Sequence, residues 1–338
     1  MEQSVLIQSA EKYGIPLYAP TLVGGFNNNV YECTFREKPK PIILKFYEAT
    51  SFQTKSLKAE VEWVNYLHRV HLDVATPIAS KKGNLIEKIK STEGKRYVVV
   101  AYEKVNGVQI DCQNPGIWNE NLFEQWGQAM GKMHEAAKNV PLSTFHAEIP
   151  HWYEERLLLQ TPENIDKSIL LQWKQVKVEM ASFKASQKNY GIIHHDLHHE
   201  NFLRKQSGIA LFDFGDIVQH WFIYDIAISF YHALQTVPSQ NERQRDTFAQ
   251  GCLIHFLQGY KKETSIDERE VLRLPFFLKY RRIYSYIYLM THLTIEQKKE
   301  ERISNALFQM EKAIGEELPC TPLTGADILA CLQGENEK

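Results

Sequence analysis

The segment His194-His195-Asp196-Leu197-His198-His199-Glu200-Asn201 constrains this chain more than any other stretch. It leaves the apolar pair Ile192-Ile193 and runs into Phe202-Leu203, so a strand is expected to deliver a polar loop and take the chain back to a core. Seventeen positions after Asp196 comes Asp213-Phe214-Gly215-Asp216, approached through Ile209-Ala210-Leu211-Phe212. A returning hairpin sets Asp213 beside Asn201, and carboxylate and amide oxygens are hard ligands suited to Mg²⁺. Asp196, five residues before that Asn, is placed to accept a proton from a hydroxyl. Taken singly, each Asp and Asn is as good a turn former as a ligand. Taken together, their order and spacing are not what independent turns produce. A zinc hydrolase is the rival reading, because His194/His198 and His195/His199 share a face if the segment is helical. The strand-like flanks argue against it.

Composition narrows the surroundings. The chain has 338 residues, 43% hydrophobic and 24% charged, which suits a folded protein of two domains or lobes. With 39 Lys+Arg against 41 Asp+Glu, neither nucleic acid nor an anionic membrane is expected as a partner. No apolar stretch approaches the roughly 20 residues that span a bilayer, and Met1-Glu2-Gln3-Ser4 does not open like a signal peptide. Five dispersed cysteines form no Cys-x-x-Cys pair, so neither disulfides nor a structural zinc site is expected, and a cytoplasmic setting fits.

The texture changes once along the chain. After a short helical face over about residues 2–13, β-rich runs (Leu22-Val23, Val30 to Phe35, Pro41 to Tyr47, Leu85 to Ile89, Arg96 to Tyr102) alternate with Gly, Pro and Asn clusters. One helix, about Lys55 to Val70, interrupts them. Beyond Asn106-Gly107 the pattern is mostly helical, with a β island from Ile192 to Phe214. The expected architecture is α+β: a sheet lobe over 1–103 that binds nucleotide and a larger helical lobe over 104–338.

The sheet lobe has what a nucleotide site needs. In Pro41 to Tyr47 the period of two puts Lys45 on one face with Ile43 and Tyr47. A lysine among apolar strand residues calls for an anion, and Glu60, on one helical stripe with Trp63 and Leu67, is a candidate. The loop through Gly24, Gly25, Asn27 and Asn28 can fold over phosphates, although such hairpins are often only hairpins. The backbone of Ala101, Tyr102 and Glu103, in the connector, is placed to read an adenine edge.

These motifs resemble the aminoglycoside phosphotransferase and choline-kinase-like family of small-molecule kinases, over about Leu22 to Tyr231 with a weaker echo from Leu274 to Met290. The H-x-D-x-x-x-x-N and D-F-G elements correspond to its catalytic loop and metal-binding motif. The resemblance implies a bilobal protein-kinase-like fold with ATP–Mg²⁺ in the interlobe cleft. It implies Asp196 as catalytic base, Asn201 and Asp213 as Mg²⁺ ligands, and Lys45 with Glu60 on the α/β-phosphates. His194 and Asp225 are implied as braces of the catalytic loop. His195 departs from the pattern, which usually has a small residue there, most often Gly.

The acceptor expected is a small, polar, amine-bearing molecule of the homoserine, choline or aminoglycoside kind. Asp216 and Glu200 would favour its positive charge, and Arg281 or Arg282, in a late aromatic helix, would favour a carboxylate. A protein Ser/Thr kinase of the same fold is one alternative, although only eleven residues separate Asp213 from Asp225, too few for a long activation segment. A non-catalytic nucleotide-binding protein is the other.

Overall fold

A computed structural model of the chain describes residues 1–14, 18–24, 29–34, 41–49, 51–140, 148–159, 164–237 and 242–334, with backbone alone at 18, 19, 51–55 and 242. The chain falls into two compact units. The first comprises Met1–Gln109, Val140–Ile149 and Leu203–Gly215, and the second Ile110–Asn139, Pro150–Phe202 and Asp216–Lys338.

The first unit begins with α1 (Gln3–Tyr13), β1 (Tyr18–Gly24), β2 (Val30–Thr34), β3 (Ile42–Glu48), α2 (Ser51–Arg69), β4 (Pro77–Ile78), β5 (Ile86–Lys90) and β6 (Arg96–Glu103). The strands form one antiparallel sheet in the order β1-β2-β3-β6-β4, with β5 also on β6. Alternation along β3 divides its side chains between two cores. Ile42, Leu44 and Phe46 meet Val5, Leu6 and Ala10 of α1, while Ile43 and Tyr47 pack with Leu57 and Val61 of α2. Lys45 shares the second face.

The second unit contains α3 (Glu120–Asn139), α4 (Arg156–Leu159), α5 (Lys167–Ala181), β7 (Tyr190–Ile193), β10 (Val218–Trp221), α6 (Phe222–Leu234), α7 (Glu242–Lys261), α8 (Glu268–Val271), α9 (Leu274–His292), α10 (Ile295–Lys299), α11 (Glu301–Gly315) and α12 (Gly325–Gln333). Helices α3 and α7 approach backbone to backbone at glycines. A Cβ on Gly127 would lie 1.8 Å from the Phe256 carbonyl oxygen, and one on Gly259 equally near that of Glu124. Helix α6, apolar nearly all round, is buried and packs against α7, α9, β7 and β10.

Between β7 and β10 the chain makes the hairpin β8 (Phe202–Lys205) and β9 (Gly208–Leu211). A single cut after residue 103 would place this hairpin with the helices. It clusters instead with the first unit, because Arg204 exchanges backbone hydrogen bonds with Val108, and Leu211 with Asp73 and Ala75. Among the described residues, no helix is long and apolar enough to cross a membrane.

Candidate active site

In the second unit, β7 ends at Ile193 and the next two backbone N–H groups, of His194 and His195, donate to the Asp225 carboxylate at 3.0 and 2.9 Å. Asp225 sits in the first turn of α6 with no solvent exposure. His134 Nε2 lies 3.1 Å from its Oδ2, and the Tyr260 hydroxyl 2.9 Å from His134 Nδ1. A carboxylate only accepts, so Nε2 carries the proton and Tyr260 donates to Nδ1. Burial opposes the charge on Asp225, but the bond from His134, with that imidazole's field and the loop N–H groups, holds its carboxyl below the usual range. Burial likewise pushes His134 down, so a neutral imidazole faces an ionised carboxylate.

Fixed in this way, the chain turns sharply at His195, whose φ is 70°. Left-handed backbone at a residue with a Cβ is uncommon and costs energy, and such strain collects at functional loops. The turn sends the His195 ring into the interior and brings Asp196 outward. Oδ1 of Asp196 accepts from Arg281 Nη2 at 2.9 Å, and Oδ2 lies 3.3 Å from His198 Nε2. Burial would raise the Asp196 pKa; the His198 bond and the charge of Arg281 overcome it and hold the carboxyl well below the usual carboxylate range. The Leu197 carbonyl accepts from Ser229 Oγ at 2.6 Å, and Asn201 Nδ2 donates to the Asp196 carbonyl at 2.8 Å. That bond orients the amide and leaves Oδ1 as its acceptor, the atom type a hard cation takes.

In the first unit, Lys45 Nζ pairs with Asp213 Oδ1 at 2.5 Å. Burial alone would lower the Lys45 pKa, but the Asp213 carboxylate, with Glu60 behind it, raises it instead. Glu60 is buried and its Oε1 accepts from the Tyr102 hydroxyl at 2.9 Å. Asp213 takes a positive φ of 62°, and Gly215 lies so near that a Cβ there would be 3.1 Å from Lys45 Nζ. Ala101 and Tyr102 lie inside the sheet between β3 and β4, and the Glu103 N–H donates to the Thr76 carbonyl. Gly24 ends β1 opposite Val30. Gly25, Asn27 and Asn28 lie outside the described residues.

The remaining candidates are dispersed. Glu200 is largely exposed, 3.9 Å from His198 Nδ1. Asp216 is exposed, and its charge acts on Glu155 and Tyr288. Arg281, read from sequence as an acceptor ligand, is held by Asp196 and stands 3.1 Å from His232 Nε2. Arg282 is turned to the carbonyls of Ala313, Leu318 and Pro319 rather than to the loop, because the chain after α11 returns beneath it. Sequence reasoning missed His134, Glu155 and His232. A histidine on a helix and a glutamate in a Tyr-Glu-Glu-Arg run carry no local sign of burial. Among the described residues, no group of three or more His, Cys, Asp and Glu side chains forms a ready metal site.

The sequence matches the phosphotransferase enzyme family over residues 20–262. The chain belongs to this family. It is 31% identical over 337 residues to the amicoumacin kinase of Bacillus subtilis (strain 168), covering 97% of this chain and 96% of that protein. Its structure is similar to that of an amicoumacin kinase solved in complex with AMP-PNP, Ca²⁺ and Ami, with a TM-score of 0.83, 28% identity and 97% of each chain covered. A microcompartment-associated aminopropanol kinase shares the fold at a TM-score of 0.71, with 18% identity and coverage of 94% of this chain and 97% of its own. This phosphotransferase is therefore a small-molecule kinase that acts on an alcohol group, with an α+β protein-kinase-like fold.

Proposed function

We propose that this kinase moves the γ-phosphoryl group of ATP, bound as its Mg²⁺ complex, to a hydroxyl of a small amine-bearing acceptor. The observation that carries the reading is the state of Asp196. Its carboxylate is ionised, fixed on one oxygen by Arg281, and tied through its carbonyl to Asn201 five residues on. Phosphoryl transfer needs the acceptor hydroxyl oriented more than ionised early, and a carboxylate of low basicity does that. Asp196 accepts the proton late, when the oxygen has become acidic by bonding to phosphorus.

Asn201 Oδ1 and the half-exposed Asp213 carboxylate are hard oxygen donors, and they would hold the cation. Bound there, Mg²⁺ would neutralise charge developing on the phosphate oxygens. Lys45, supported by Glu60, positions the α- and β-phosphates. Lys45 and Asp213 neutralise each other, so neither the cation nor the anion is left unpaired.

For the acceptor, amicoumacin is the first compound to try, since a relative of that name aligns over nearly the whole chain. The test is a screen with ATP and Mg²⁺ of amicoumacin, aminopropanol, choline, homoserine and aminoglycosides, read by the mass of one added phosphoryl group. Transfer to at least one amine-bearing alcohol is expected. Transfer only to neutral alcohols, or to none, contradicts the reading.

A further inference from the structure

Oε1 of Glu155 and Nε2 of His195 face each other at 3.7 Å in the interior of the second unit, and among the described residues neither atom has a hydrogen-bond partner. Glu155 directly follows the short helical turn Trp152–Glu154, and its Oε2 accepts from the Tyr284 hydroxyl of α9 at 3.0 Å. The His195 ring donates to the Asp216 backbone carbonyl. With Nε2 unpartnered, that donor is Nδ1–H, so Nε2 turns its lone pair towards Glu155. An ionised Glu155 would set oxygen and nitrogen lone pairs against each other with no donor between them. A proton on Oε1 makes them donor and acceptor, and a shift of about one ångström closes an O–H···N bond. Oε1 is the oxygen that carries it, because Oε2 is already served by Tyr284.

Burial is the largest influence on both groups. It pushes the carboxyl up to about 8, with Asp216 acting the same way against the Tyr284 bond and Arg281. It depresses the imidazole to about 4, with Arg281 acting the same way against Asp225, Asp196 and the bond to the Asp216 carbonyl. At neutral pH the proton between the two atoms therefore sits on Glu155. The hydroxyls of Tyr190, Tyr224, Tyr280 and Tyr284, on which the Glu155 charge acts, are all pushed up by burial. His220 of β10, which feels His195, is pushed down. All five are neutral where Glu155 titrates.

We propose that Glu155 is a positioning residue for the catalytic loop, a neutral carboxylic acid whose O–H donates to His195 Nε2 and fixes the ring. His195 is the left-handed residue that turns Asp196 outward, and with both ring nitrogens bonded it is anchored on two sides. The link joins the loop to α9 through Tyr284 and to the segment after Asp213-Phe214-Gly215 through the Asp216 carbonyl. Loss of the proton sets a buried carboxylate against the imidazole lone pair and releases the loop. This role rests on Asp196 facing the acceptor; Glu155 acts through His195 and not on the substrate.

The test is kcat against pH at saturating ATP and acceptor, with thermal melts over the same range, for wild type, Glu155→Gln, Glu155→Ala and Tyr284→Phe. Glutamine is the isostere of the neutral acid: its amide can donate to His195 and accept from Tyr284. Wild-type kcat should fall about tenfold per pH unit above about 8, with the KM for ATP unchanged. Glu155→Gln should stay within about threefold of wild-type kcat at neutral pH and lose that alkaline limb, whereas Glu155→Ala should be at least about tenfold slower throughout. Tyr284→Phe removes a bond that favours the carboxylate, so its limb should move to higher pH, which decides the matter should Glu155→Gln fail to fold. Melts need no acceptor. Between the ordinary glutamate pKa and about 8 the folded chain holds a proton that the unfolded chain has lost, so wild-type stability should decline with rising pH relative to Glu155→Gln. The same alkaline limb in Glu155→Gln, an unshifted limb in Tyr284→Phe, or equal losses in Glu155→Gln and Glu155→Ala would overturn the role. A stability difference between wild type and Glu155→Gln that is constant with pH would overturn the proton. A pH-dependent difference in the melts without phosphoryl transfer to any acceptor would keep the protonated Glu155 and sink the kinase reading instead.

Discussion

Nη2 of Arg281 donates to Oδ1 of Asp196 at 2.9 Å, and the arginine making that bond is 7% exposed. The same guanidinium stands 3.1 Å from His232 Nε2 and 3.4 Å from the His195 carbonyl oxygen, so α9 clamps the loop from beneath. A buried cation on a proposed proton acceptor sets its pKa as well as its position.

Arg281→Met should therefore expose the basicity of Asp196. In the wild-type protein the carboxyl stays ionised well below the usual carboxylate range, so it should impose no acid limb on kcat at ordinary assay pH. Without Arg281, burial is opposed by the His198 bond and by the fields of His198 and His232, and the Asp196 pKa rises. Activity requires the ionised form, so it should be lost at a higher pH than in the wild type as pH falls. A kcat–pH profile with an unshifted acid limb contradicts this role.

Lys45→Met should abolish productive nucleotide use and barely change stability. The partners are 14% and 43% exposed, and screened pairs of this kind contribute about 0–1 kcal/mol. The sign of the pH dependence is fixed by the raised Lys45 pKa. Whatever the pair contributes is fully present below the ordinary lysine pKa and is lost only as pH rises through the higher folded value. Thermal melts of wild type and variant should differ by a constant amount from neutral pH to the ordinary lysine range. Wild-type turnover in Lys45→Met would place Lys45 outside the nucleotide site.

Asp225 joins α6, α3 and the catalytic loop, so Asp225→Ala should be severe. It leaves two loop N–H groups and His134 without an acceptor, and breaking such a buried charged group costs about 3–5 kcal/mol. Its lowered pKa means that its contribution is present above the ordinary aspartate range and disappears as pH falls through the folded value. His134 acts in the same direction. Its depressed pKa means the unfolded chain takes up a proton first, so stability declines as pH drops below the ordinary histidine pKa. Denaturant melts from neutral to acid pH would show both. A variant as stable as the wild type would remove Asp225 as the brace.

Two glycines in the helical unit should respond in opposite ways. Gly127→Ala drives a methyl into the Phe256 carbonyl and should destabilise by about 1–3 kcal/mol or more. Gly251, inside α7, has nothing within 4 Å of its missing Cβ, so Gly251→Ala should stabilise by about 0.5–1 kcal/mol. Equal effects in thermal melts would contradict the close crossing of α3 and α7.

How much of this was legible beforehand followed the range of each interaction. The spacing of Asp196, Asn201 and Asp213 is a local property, and the alternation that set Lys45 with Ile43 and Tyr47 needs only the strand period. The fold class followed from the change of texture after Asn106-Gly107. Arg281 is 85 positions from Asp196, so helical periodicity could mark it as polar within an aromatic stripe but could not name the carboxylate it meets. Glu155 and His232 acquire their chemistry first from burial and then from charges distant in sequence, Asp216 on the one and Arg281 on the other. The hairpin at Leu203–Gly215 belongs with the first unit because of backbone bonds to Asp73, Ala75 and Val108, which no side-chain pattern records. His195 was visible as a departure from the usual glycine, and its positive φ explains why glycine is common there.

The central claim is that Asp196 orients the acceptor and takes its proton, and Asp196→Asn tests it most directly. Asparagine keeps the shape and can still accept from Arg281, so the fold and ATP affinity should be nearly unchanged. Steady-state kinetics with the acceptor found in the screen should show kcat lowered by roughly 10²–10⁴-fold with little change in the KM for ATP. Retention of more than about a tenth of wild-type kcat, far above what loss of a general base allows, would contradict the account.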